Sequence, residues 1–110
     1  MKIGIIGAGY VGLVTGACLS DFGYHITCVD SDEKKISSIK KGIIPIYEPG
    51  LDLVISRNVQ AGRLFFQTKL GRFVEELDVI FICVGTPTKQ SDGKADLTYL
   101  FGAIDELKPY

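Results

Sequence analysis

The chain has 110 residues, a formal net charge of −1 and 46% apolar residues. That is enough apolar side chain for a packed core, which excludes a disordered chain, and the balanced, unclustered charge removes the electrostatic case for a nucleic-acid partner. No apolar run reaches the ~18 residues of a membrane span, and Met1 leads straight into strand-like sequence without a leader pattern, so the expectation is a cytoplasmic protein with no membrane partner.

In chain order, KIGIIG (residues 2–7) is an isoleucine-rich run bounded by glycine, the pattern of a strand buried on both faces of a parallel sheet. Residues 10–22 are apolar over more than half a helical wheel, as in a helix packed hard on a sheet, and Gly23 stops it. HITCVD (25–30) is a second strand ending in Asp30. Residues 31–42 form a helix with acids in its first turn, lysines in its last and Gly42 as its stop. A loop then leads to a third helix, with Pro49 expected at the first helical position, Leu51, Val54 and Ile55 on its apolar face and Gly62 at its end. RLFFQT (63–68) is a third strand, LGRFVEEL (70–77) a short helix and DVIFICVG (78–85) a fourth strand. After a turn-rich loop, Asp96 is expected to cap a helix through about Lys108 that places Leu97, Leu100, Ile104 and Leu107 on one face.

Strands alternating with helices predict an α/β fold of Rossmann type, a parallel sheet in the order 3-2-1-4 with helices on both faces. The stretch Gly7-Ala8-Gly9-Tyr10-Val11-Gly12 stands where the first strand turns into the first helix. A G-x-G-x-x-G pattern alone is weak, but here it follows a buried strand and opens a helix, and the next strand ends in an acid eighteen residues after Gly12. Gly7 allows the sharp turn, Gly9 lets a pyrophosphate approach the backbone, and Gly12 lets the helix pack close to the strand. Unpaired amides at the helix start would hold the phosphates without a lysine. Asp30 would accept hydrogen bonds from the adenosine ribose. Its charge repels a 2′-phosphate and no arginine follows it, which favours NAD over NADP. The second turn, Val84-Gly85-Thr86-Pro87, would bring Gly85 and Thr86 to the middle of the dinucleotide.

Cys18, Cys28 and Cys83 are odd in number and lie in apolar surroundings, as expected of buried free thiols. With His25 the only histidine, neither a zinc site nor a histidine-based triad is expected. His25 itself reads as a loop or strand-edge residue.

The pieces GAGYVG, YEPGL (47–51), AGRLFFQT and DVIFICVGTP closely resemble the N-terminal part of the UDP-glucose 6-dehydrogenase family, among the nucleotide-sugar dehydrogenases that also oxidise GDP-mannose and UDP-N-acetylmannosamine. The resemblance spans essentially the whole chain, and Tyr47 before Glu48 favours the UDP-glucose branch. It implies the conversion of UDP-glucose and two NAD⁺ to UDP-glucuronate through a cysteine-bound intermediate. It also implies that Tyr10, Val11, Asp30, Lys35 and Thr86 contact the cofactor; Lys35 alone reads as a solvated lysine. The family's substrate domain and catalytic cysteine would lie beyond residue 110, since Cys83 falls within a buried strand. The expectation is therefore a partial cofactor domain, ending after the fourth strand and its helix, that binds NAD weakly without turnover and meets UDP-glucose only in a longer enzyme. An unpaired fourth-strand edge would then favour a homodimer or other self-association. A non-catalytic nucleotide sensor, a GDP-mannose relative, and the 6-phosphogluconate and hydroxyisobutyrate dehydrogenase group are the alternatives, although the last would not be expected to carry YEPGL beside VGTP. The pattern Glu48-Pro49-Gly50 is also a good helix start by capping rules alone.

Overall fold

Nine elements succeed one another in the computed structural model, which describes residues 1–110. They are β1 (Lys2–Ile6), α1 (Tyr10–Asp21), β2 (His25–Val29), α2 (Glu33–Lys40), α3 (Leu51–Gln60), β3 (Leu64–Gln67), a 3₁₀ turn (Arg72–Glu76), β4 (Val79–Ile82) and α4 (Thr98–Leu107). The strands form one four-stranded sheet in the order β3-β2-β1-β4, every pair parallel. This is the expected Rossmann-type arrangement.

Register explains the core. Ile3, Ile26 and Leu64 form one row across the sheet, and Ile5, Cys28 and Phe66 the next row on the same face. All six are buried, and they join Leu13 and Ala17 of α1, Ile36 and Ile39 of α2, and Leu51 and Ile55 of α3 in a single cluster. Each fully buried large aliphatic side chain there contributes about 1.5–3 kcal/mol. The opposite face carries Gly4, Ile6, Thr27 and Val29. A methyl group on Gly4 would meet the Leu77 side chain at 2.5 Å, so the segment after the 3₁₀ turn lies directly on the strand there. The outer strand β4 is covered less well: Val79 and Phe81, in register with Ile3 and Ile5, remain 37% and 40% exposed.

A polar network ties three elements together at the far end of α1. Asn58, fully buried on α3, donates to Asp21 Oδ1 at 3.0 Å and to the Val54 carbonyl at 2.8 Å, and its own oxygen accepts from Arg63. Arg57 adds a two-pronged contact to Asp21 at 2.7 and 2.8 Å. The Arg57 hydrogen bonds hold the Asp21 carboxyl at about 2, well below its ordinary value.

Several local expectations shift. Helix α3 starts at Leu51 rather than Pro49, because Gly50 takes the N-cap position with a left-handed backbone (φ 84°). Asp32 caps α2 by accepting from the Lys35 amide, so that helix is shorter than its charge pattern indicated. At α4, Leu97 is the cap residue, while Asp96 accepts from the Thr98 amide one step earlier than expected. The apolar wrap of α1 is narrower than expected: Tyr10, Val11 and Phe22 are exposed. Cys18 is exposed too and Cys83 only half-buried, so of the three thiols only Cys28 is a core group. Burial pushes the Cys28 thiol up to about 12. His25 opens β2, stacks on Phe65 with ring centres 4.8 Å apart, and leaves a buried Nδ1 without a partner.

Candidate functional site

The carboxyl ends of the strands open into one cleft of about 800 Å³. In an open parallel sheet this is where ligands bind, between neighbouring strands whose connections leave toward opposite faces. Here those strands are β1 and β4. Gly7 and Gly9 form one lip, Asp30 and Lys35 the end beyond β2, and Gly85 and Thr86 the lip beyond β4.

The three glycines of the first turn have separate causes. Gly7 has a φ of 104°, and a methyl there would strike the Cys83 carbonyl. It is glycine because β4 ends against it. A methyl on Gly12 would collide with the Gly7 carbonyl, so the first turn of α1 sits directly on the end of β1. Gly9 differs from both. Its backbone is extended, and a methyl there would find nothing within 4 Å. No protein contact requires glycine at this position, yet it faces the cleft. Gly9 is also the N-cap of α1, and no side chain caps that helix. The first amides of α1 therefore have neither an intrahelical nor a side-chain acceptor, and with the helix dipole they favour an anion.

Asp30 stands across from this lip. Its Oδ2 accepts from the Ala8 amide at 2.8 Å and from Lys35 Nζ at 3.3 Å, and its Oδ1 accepts from the Asp32 amide at 2.9 Å. Partial burial pushes its carboxyl up, but the two backbone amides and the Lys35 ammonium outweigh that and hold it below the ordinary carboxylate range. A carboxylate offers about four acceptor sites. Three are in use, and one on Oδ1 stays open for a ribose hydroxyl. Asp30 thus has a second duty not read from the sequence: it braces the glycine turn through Ala8.

Among the expected contacts, Gly7, Gly9, Asp30, Lys35, Gly85 and Thr86 all line the cleft. Gly12 lies beneath the turn as packing. Tyr10 and Val11 are exposed and are not among the residues that line the cleft. The Tyr10 phenol donates to Glu48 Oε2 at 2.7 Å, which raises its pKa and gives the YEPGL segment its tie to the glycine turn. The backbone amides of Tyr10 and Val11 lie in the first turn of α1. The lining also includes Thr68 and Leu70 after β3, and Tyr99, Gly102, Ala103 and Glu106 of α4. Thr68 follows β3 as Asp30 follows β2, a signal available in the sequence. The α4 residues recur at helical spacing, but the leucine face of that helix masks them.

The chain matches, over residues 1–110, the model of the UDP-glucose/GDP-mannose dehydrogenase family, NAD-binding domain. The chain belongs to this family. The UDP-glucose 6-dehydrogenase of Rhizobium meliloti strain 1021 is 56% identical over 107 residues, which cover 97% of the chain and 24% of that relative. The YwqF UDP-glucose 6-dehydrogenase of Bacillus subtilis is 50% identical, with the same shares covered. Among solved structures, a ternary complex of GDP-mannose dehydrogenase from Pseudomonas aeruginosa superposes with a TM-score of 0.91 at 43% identity, covering 97% of the chain and 24% of that structure. The chain thus spans about a quarter of the length of these relatives. As in the UDP-glucose/GDP-mannose dehydrogenase family generally, the cofactor is NAD, and the residues present fit it. The open approach at Gly9 and the uncapped start of α1 suit the pyrophosphate, and the free acceptor site on Asp30 suits the ribose.

Proposed function

We propose that this chain is the cofactor-binding part of a longer NAD-dependent enzyme that oxidises a nucleotide sugar, with UDP-glucose as the substrate and UDP-glucuronate as the product. The observation that carries the NAD part of this reading is Gly9, a glycine that no protein contact requires, set at an uncapped helix start that faces a carboxylate. Bound NAD supplies a hydride acceptor. The chain's own residues hold and orient it: helix-start amides on the pyrophosphate, Asp30 on the ribose, and Gly85 and Thr86 along the middle of the dinucleotide. Lys35 partly neutralises Asp30 and keeps it ionised. The preference for UDP-glucose rests on the identity to UDP-glucose 6-dehydrogenases and on Tyr47-Glu48, because the cleft itself takes the cofactor rather than the sugar.

Calorimetric titration tests this. NAD should bind weakly and more tightly than NADP. Asp30→Ala should weaken NAD by about tenfold and narrow the gap to NADP, as expected for loss of a charge-assisted hydrogen bond. The residues after position 110 would supply the substrate domain, so the 110-residue chain should not reduce NAD⁺ when given UDP-glucose. Equal binding of NAD and NADP by the unaltered chain, or turnover by it, overturns this reading.

A further inference from the structure

We propose that Glu48 is a positioning residue for the coenzyme: by accepting a hydrogen bond from the Tyr10 phenol, it holds the opening turn of α1 in the orientation that meets a diphosphate. This rests on the dinucleotide reading above. The turn has little of its own to hold it. Gly9 is the N-cap of α1 without a side-chain cap, and a methyl on it would meet nothing within 4 Å. Glycine there leaves the approach open, but it also allows the backbone the widest choice of conformations. Side chains from elsewhere act on either side of it. Asp30 accepts from the Ala8 amide at 2.8 Å, and Glu48 accepts from the Tyr10 phenol at 2.7 Å. The neighbours of Gly9 are thus fastened while Gly9 itself stays bare. A binding turn fixed in advance loses less freedom when its ligand arrives.

Glu48 can serve as an anchor because its own place is fixed. Pro49 follows it and biases its backbone toward extended conformations. The Glu48 carbonyl accepts from the Leu51 amide at 3.0 Å, and Gly50 between them has a φ of 84°. Proline second and a left-handed glycine third is the pattern of a type II turn. Leu51 then enters the core, where it and Ile55 join the same cluster as Leu13 and Ala17 of α1. Ile44 and Ile46, just before Glu48, pack partly against that cluster. Loop and helix are therefore seated on one core, and the Tyr10–Glu48 bond spans a short gap between two fixed bodies. The turn itself uses only the carbonyl of residue 48 and does not require an acid there. Glu48 also takes part in none of the chain's ion pairs. The bond from Tyr10 accounts for its carboxylate.

The test is calorimetric titration with NAD of the unaltered protein, Tyr10→Phe, Glu48→Ala, Glu48→Gln and the double variant Tyr10→Phe/Glu48→Ala, with urea midpoints measured alongside. Tyr10→Phe and Glu48→Ala should each weaken NAD by about fivefold with the urea midpoint unchanged. The double variant should bind no more weakly than either single one, since both remove the same bond. Glu48→Gln keeps an oxygen that accepts from the phenol and should stay within about twofold of the unaltered protein. Adenosine, which lacks the diphosphate, should bind all five proteins alike in an NMR titration. If both single variants bind NAD normally, if their losses add, or if adenosine or the urea midpoint falls with NAD, the positioning role is wrong while the dinucleotide reading stands. If the unaltered protein does not bind NAD, both fall. The bond is cut from the helix side and from the loop side separately, so the outcome does not hang on one variant.

Discussion

Alanine substitutions at Gly7, Gly9 and Gly12 should separate stability from binding. Gly7→Ala forces a side chain into the left-handed region and against the Cys83 carbonyl, and Gly12→Ala drives a methyl into the Gly7 carbonyl. Each should destabilise the fold by roughly 2–4 kcal/mol, the range for strained backbone and overpacked sites. Gly9→Ala meets no protein atom and should leave stability within about 1 kcal/mol. It should nevertheless weaken NAD binding at least as much as Asp30→Ala does, because the methyl occupies the approach to the helix-start amides. Urea denaturation and calorimetry on the three variants check this. If Gly9→Ala bound NAD normally, the glycine would have no ligand to explain it. The same residue shows what the sequence could and could not disclose. The roles of Gly7 and Gly12 follow from a known turn chemistry that the geometry accounts for, and at Gly9 no protein atom stands in the way. The Ala8–Asp30 bond could not be read, since it joins residues 22 apart through a backbone amide that carries no sequence signal.

At the scale of elements, the network around Asn58 links α1, α3 and the start of β3. Replacing Asn58 with alanine removes an acceptor from Arg63, which keeps the Ser20 carbonyl, and a donor from Asp21, which keeps Arg57, and should destabilise the fold by about 1–3 kcal/mol. The linked carboxylate adds a pH dependence. Asp21 titrates at about 2 in the fold, against an ordinary 3.8. A depressed folded-state value means that the ionised form favours the fold: this stabilisation is fully present above about pH 4 and is lost as the pH falls toward 2. Asp21→Asn should flatten that part of the stability–pH curve, measured by urea midpoints between pH 2 and pH 5. No apolar period marks this network, and so it was not legible beforehand. The elements themselves were, because short apolar runs and helical spacing report burial directly. The errors fall at element ends, as at Gly50 and Asp96, where a local cap outweighs the longer pattern. They also fall on α1, whose apolar composition exceeds its burial: Tyr10, Val11 and Phe22 are exposed.

For the whole molecule, the sheet order leaves β4 at one border with Val79 and Phe81 partly uncovered. An exposed apolar strand edge invites pairing with another strand. The chain alone should therefore self-associate, and Phe81→Lys should lower that association, read as the concentration dependence of sedimentation. A monomer unaffected by concentration in the unaltered chain would rule out this behaviour. The placement of β4 has a further consequence for how the protein comes into being. β1 is made first of these four strands, yet its neighbour on the cleft side, β4, is made fourth, and α4, which lines the cleft, follows later still. During synthesis, at about 5–20 residues per second, the ribosome must add some hundred residues before a dinucleotide has anywhere to dock. Earlier intermediates lack the cleft, whereas a chain in which β4 and α4 are in place would be stabilised by mass action on binding the coenzyme. Binding of the coenzyme would thus favour molecules in which β1 and β4 have found each other.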